Sequence, residues 1–130
     1  MNNLLDKKFN DPFITADGNK RAFIEAKKIN TLWFNTGTLC NIDCKNCYIE
    51  SSPKNDRLVY LAFDEVKLFI DEAIDNNLKT KEIGFTGGEP FMNKDILKMV
   101  DYALKKNFKV LILSNAMKPM LNKKEELLKL

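Results

Sequence analysis

Cys40, Cys44 and Cys47 are the only three thiols in the chain, and they share one stretch, residues 36–48, reading T-G-T-L-C-N-I-D-C-K-N-C-Y. A C-x-x-x-C-x-x-C spacing lets a single irregular loop wrap one inorganic centre, with each sulfur reaching a different metal atom. The number of ligands matters as much as their spacing. A closed structural metal site fills its coordination sphere with protein ligands, whereas a site with one ligand fewer keeps a position open for chemistry. On a cubane iron–sulfur cluster, these three cysteines would leave one iron free for a substrate or cofactor. An odd set of cysteines on one loop cannot build a disulfide framework, and a reducing cytosol would oppose one. The other readings of the thiols are buried side chains, a small zinc-binding module completed by Asp43 or Glu50, or a plain electron-transfer cluster, which ordinarily needs a further cysteine. The chain contains no histidine, so Cys–His zinc sites, imidazole acid–base catalysis and Ser–His triads are all excluded.

Two other short stretches have the residue types of a site. Gly87-Gly88-Glu89-Pro90 places glycines where backbone must approach something closely, although a tight strand-to-helix connection has the same look. Ser114-Asn115 puts two polar side chains after an apolar run, as many strand ends do.

The elements that must position these stretches can be read from periodicity. Residues 31–36 (T-L-W-F-N-T) form an aromatic and β-branched strand that runs directly into the cysteine loop, with Trp33 and Phe34 read as strand packing. Residues 50–56 (E-S-S-P-K-N-D) are dense in turn formers. From about Asp64, the apolar residues Val66, Phe69, Ile70, Ala73 and Ile74 recur on one face of a helix that ends near Asn76-Asn77. Residues 81–86 (K-E-I-G-F-T) make a second strand, broken by the Gly-Gly-Glu-Pro stretch. A second helix is expected with Asn93 as N-cap and Ile96, Leu97, Val100, Ala103 and Leu104 as its apolar stripe. Residues 108–113 (F-K-V-L-I-L) read as a strand covered on both faces. A last helix is expected to start at Asn122 as cap, with Glu125 completing a capping box and Leu127, Leu128 and Leu130 opening an apolar face. Residues 1–30 carry a turn at Asp17-Gly18-Asn19 and a partly alternating run at 21–29, and are read as an N-terminal extension with room for a short strand.

The order β-α-β-α-β-α predicts an α/β fold with a parallel sheet and helices packed on it. In such folds, the loops at the C-terminal ends of the strands gather on one rim and form the site. The cysteine loop, Gly87-Gly88-Glu89-Pro90 and Ser114-Asn115 occupy those three positions.

Taken together, these motifs resemble the N-terminal part of a radical S-adenosylmethionine (radical SAM) enzyme, over residues 31–120. The resemblance implies parallel β-α repeats forming about half of a partial (β/α)6 barrel, with residues 31–130 as a truncated core. It implies that Cys40, Cys44 and Cys47 bind a [4Fe-4S] cluster whose open iron is chelated by SAM. Gly87, Gly88, Glu89 and Pro90 would hold the SAM amino group, the backbone at Asn46 would meet the adenine, and Ser114 and Asn115 would face the cofactor. The implied reaction is reductive cleavage of SAM to a 5′-deoxyadenosyl radical that abstracts hydrogen from a substrate. Its partners would be a reductant such as flavodoxin or ferredoxin and that substrate. Family members commonly have a bulky residue before the third cysteine, where this chain has Asn46, with the aromatic at Tyr48 instead. The short length is read as that of a fragment or truncated product, either an inert cluster-binding piece or half of a site completed by a missing C-terminal half.

Composition supports an ordinary globular domain, 45% hydrophobic and 30% charged, with a net charge of +3. Basic and acidic residues are interspersed, which gives no case for nucleic acid. Residues 1–8 carry Asp6 and two lysines where a signal peptide would be apolar, and the apolar runs are strand-sized, so the chain is expected to be cytoplasmic and not membrane-spanning.

Overall fold

A computed structural model describes residues 8–25 and 28–130. The signal-peptide reading of residues 1–8 falls almost wholly outside the described residues, as does the middle of the 21–29 run. The elements follow in the order β1 (Thr31–Asn35), α1 (Phe63–Asp75), β2 (Glu82–Thr86), a 3-10 turn (Pro90–Met92), α2 (Ile96–Lys105), β3 (Lys109–Ile112), α3 (Lys118–Leu121) and α4 (Lys124–Leu127). The three strands form one parallel sheet in the order β1-β2-β3, with Trp33, Gly84 and Leu111 in register across it. Among the described residues of the N-terminal extension, the only pairing is an antiparallel bridge between Ile14 and Lys20 around the Asp17-Gly18-Asn19 turn.

The core lies on one face of the sheet. Val66 and Ile70 of α1 and Ile96, Met99, Val100 and Ala103 of α2 pack against Phe34, Ile83 and Phe85. Strand residues alternate between faces, so Phe34 is buried beneath the helices while its neighbour Trp33 lies on the opposite face, 45% exposed. That opposite face, with Trp33, Leu111 and Leu113, is open to solvent among the described residues. Among the described residues β3 is therefore covered on one face and not on both. Its apolar run marks a strand with an apolar residue on each side, which periodicity cannot distinguish from a strand buried on each side.

Both long helices end in the same way. Leu78 N donates to Ala73 O at 3.0 Å and Asn77 N to Ile74 O at 2.9 Å, while Phe108 N donates to Ala103 O at 3.1 Å and Asn107 N to Leu104 O at 2.9 Å. These are Schellman closures, and the left-handed residue in each is an asparagine, Asn77 at φ 50° and Asn107 at φ 65°.

Other expectations are corrected. Phe69, Ile74 and Leu104 sit at the edges of their stripes, with Phe69 48% exposed, because a helix of this size buries only its central rows. Asn93 precedes the N-cap of α2, which is Asp95, and Asn93 Oδ1 accepts from Asp95 N at 2.9 Å. The last segment is two short helices. Pro119 favours the start of α3, and Asn122 is its C-cap rather than an N-cap. No helix among the described residues is long and apolar enough to cross a membrane.

Candidate functional site

The cysteine loop grows from a stem held on both sides. Thr36 N and its hydroxyl both donate to Thr86 O, at 2.8 and 2.9 Å, continuing the β1–β2 pairing past the strand ends. Thr38 N donates to Leu58 O at 3.3 Å, and Thr38 Oγ1 accepts from Leu58 N at 3.0 Å. Cys40 N donates to Ser52 O at 3.1 Å. Asn93, buried at the start of the second crossover, donates from Nδ2 to Leu61 O at 2.8 Å and to Thr36 O at 3.4 Å. The loop is thus clamped before its thiols begin.

The three cysteines are unpaired and differ in environment: Cys40 is buried, Cys47 half-buried and Cys44 exposed. Cys47 N closes a turn onto Cys44 O at 3.1 Å. The backbone N–H groups of Ile49 and Ser51 lie toward Cys47 Sγ, with Ser51 N at 3.3 Å, and they hold its thiol below the ordinary cysteine range by favouring the thiolate. Among the described residues no three Cys, Asp or Glu side chains converge on a point for a single metal ion. A cubane makes no such demand, since each thiolate meets a different iron. Glu50 turns instead to Arg57, at 3.7 Å, and Asp43 is exposed.

The Gly-Gly-Glu-Pro stretch packs directly on the cysteine loop. Gly88 N donates to Gly37 O at 2.8 Å and Glu89 N to Leu39 O at 3.1 Å. A Cβ on Gly87 would stand 2.6 Å from Gly37 O, and one on Gly88 would stand 2.2 Å from Leu39 O; Gly87 also has φ +128°. These glycines therefore allow two rim loops to touch backbone to backbone. The two N–H donors are spent on that contact, which costs an ammonium ligand nothing, because such a ligand needs acceptors.

Glu89 is buried, and its carboxylate accepts from Phe91 N at 3.0 Å, from Ser114 Oγ at 2.9 and 3.1 Å, and from Asn115 N at 2.9 Å. Pro90 opens the 3-10 turn behind it. The structure thus brings the Gly-Gly-Glu-Pro stretch, Ser114 and Asn115 together with Cys40, while Asn46 is exposed on the outer part of the loop. Sequence reasoning did not find Thr36, Thr38 and Asn93 as organisers of the rim. Their signal was faint, because a buried Thr or Asn is visible only once its carbonyl partners are placed.

The model of the radical SAM superfamily matches residues 34–130. The chain is 40% identical over 76 residues to the antilisterial bacteriocin subtilosin biosynthesis protein AlbA of Bacillus subtilis, covering 58% of this chain and 16% of that protein. It is 37% identical over 80 residues to an S-adenosylmethionine-dependent nucleotide dehydratase of Selenomonas ruminantium, covering 58% of this chain and 26% of the relative. It is also 31% identical over 96 residues to an Fe-coproporphyrin III synthase of Methanosarcina barkeri, covering 72% of this chain and 22% of the relative.

Proposed function

The chain belongs to the radical SAM superfamily, and from that premise we infer that Cys40, Cys44 and Cys47 ligate a [4Fe-4S] cluster and that the rim beside them holds S-adenosylmethionine. The observation that carries this reading is the contact between two loops, the thiol loop after β1 and the Gly-Gly-Glu-Pro loop after β2, through the Gly88–Gly37 and Glu89–Leu39 hydrogen bonds. The donor set fits the cluster: three free thiols on one loop, one of them already biased toward thiolate by backbone N–H groups. When bound, the cluster and SAM supply the one-electron reductive cleavage that gives methionine and a 5′-deoxyadenosyl radical, which takes hydrogen from the substrate.

The chain's own residues do the holding. The Thr36 and Thr38 clamps fix the stem of the ligating loop, so that its thiols present one geometry. Gly87, Gly88 and Pro90 shape the backbone that faces the SAM amino group. Glu89 and Ser114 tie the ends of β2 and β3 together, and the Asn46 backbone takes the adenine side. Free thiols and an oxygen-labile cluster suit a reducing, cytoplasmic compartment with flavodoxin or ferredoxin as electron donor.

The chain spans 16–26% of the length of the relatives it matches, and their names describe three different reactions. What it shares with them is the cofactor chemistry rather than one substrate. We place further β-α units of a partial barrel at the free edge of β3, so that the extended sheet curves around the open face where Trp33, Leu111 and Leu113 lie exposed.

Anaerobic reconstitution tests the reading. About four irons and four sulfides per chain are expected, together with a change in the cluster's electron paramagnetic resonance on adding SAM. Stoichiometric zinc without sulfide would overturn it. Release of 5′-deoxyadenosine under a strong reductant separates a turning-over enzyme from an inert cluster-binding piece.

A further inference from the structure

Among the described residues Glu89 is the only charged side chain that is buried, at 1% exposure. Its carboxylate accepts from three donors of its own chain, two of them on the segment that follows β3. That segment is consequently held against the end of β2, and the Asn115 N–H is one of the bonds that hold it.

The Asn115 side chain has its orientation dictated. Its Oδ1 accepts from Met117 N at 3.0 Å, so its Nδ2 must face the other way. There Nδ2 meets Asn41 Oδ1 at 2.9 Å and Cys40 Sγ at 3.7 Å. A flipped amide would set two acceptors, Asn115 Oδ1 and Asn41 Oδ1, against each other and leave the Met117 N–H facing a donor. Cys40 is the buried cysteine of the three, so a hydrogen bond to its sulfur acts in a low local dielectric.

The geometry points to Asn115 as a residue that donates to the Cys40 thiolate and sets the reduction potential of the bound cluster, with Glu89 as the positioning residue that holds it there. This rests on Cys40 being a cluster ligand. An N–H directed at a ligating sulfur draws charge from it and favours the more negative, reduced cluster. The step affected is the gain of one electron, from the 2+ to the 1+ state, from an external low-potential one-electron donor. No bond forms or breaks in it, and no proton moves.

The test is a mediated redox titration of the anaerobically reconstituted chain, followed by electron paramagnetic resonance, beside Asn115→Leu and Asn115→Asp. Asn115→Asp keeps an acceptor for Met117 N–H and loses the donor to Cys40. Both variants should load iron and sulfide like the parent. Their midpoints should be more negative by a tenfold or greater change in the oxidised-to-reduced ratio, which is about 59 mV for one electron. Glu89→Gln removes a charge as well as a tether, so its effect is read in the positioning itself: it should weaken the Asn115–Cys40 proximity. Unchanged midpoints in loaded variants overturn the proposal, whereas failure of the parent to take up iron and sulfide overturns the cluster reading itself. Should a variant load no iron, the unloaded parent decides. A nuclear Overhauser effect between the Asn115 side-chain amide protons and the Cys40 β-protons is expected, and its absence rejects the proposal.

Discussion

Gly84 and Gly88 are both too crowded for a Cβ, yet they differ in what crowds them. At Gly88 the obstacle is the Leu39 carbonyl at 2.2 Å, which is backbone clamped within the cysteine loop. At Gly84 it is the Trp33 ring at 2.3 Å, a side chain already 45% exposed that can swing outward. Gly88→Ala is therefore expected to destabilise the chain by about 1–3 kcal/mol and to lower iron uptake on reconstitution. Gly84→Ala should cost less than about 1 kcal/mol and leave iron uptake intact. Urea denaturation and iron analysis check the pair, and equal effects at the two positions would show that the rim contact is not what Gly88 serves. The Gly-Gly-Glu-Pro motif is legible in the sequence, where its glycines suggest either a close approach to a ligand or a tight strand-to-helix connection, and neither reading names a second loop as the neighbour. The neighbouring loop they touch lies about fifty residues upstream and is set beside them only by β1–β2 pairing.

Between the two long helices, Asp71 of α1 meets Tyr102 of α2. The Lys67 ammonium at 2.6 Å, then the Tyr102 hydroxyl, then Lys106 at 3.6 Å hold the Asp71 carboxyl down at about 2 against an ordinary 3.8. A carboxyl lowered on folding stabilises the native state above its unfolded value, and that contribution is lost as pH falls from 3.8 toward about 2. The urea midpoint of the parent should accordingly drop between about pH 5 and about pH 2.5 by more than that of Asp71→Asn. Parallel curves would remove this contact from the acid limb. The two long helices follow the 3.6-residue stripes of the sequence in place and kind, although Asn93 stands ahead of the cap of α2, and α1 ends where Asn76-Asn77 predicts. The failure came at the last segment, where Asn122 and Glu125 mimic a capping box while Pro119, the second residue of α3, had already favoured an earlier start.

At the scale of the fold, three strands carry helices on one side and, among the described residues, leave the other side open. Trp33 is the chain's single tryptophan and lies on that open side over Gly84. Its fluorescence therefore reports on the face directly. The chain in dilute solution should show a water-like, red-shifted emission that acrylamide quenches readily. A blue-shifted, protected emission would mean that the face is covered, by a second copy or by the chain itself.

The sequence by itself determined the spacing of the three thiols, the parallel β-α order and the rim position of all three polar stretches, because thiol spacing and hydrophobic period are local properties. Only the tertiary structure decided how those stretches meet: Gly88 against Leu39, Glu89 under Ser114 and Asn115, and the Asn115 amide turned toward Cys40. Each of those contacts joins residues between 25 and 75 positions apart or crosses from one strand end to the next. Strand register alone brings such partners within hydrogen-bond reach, and no period in the chain encodes it.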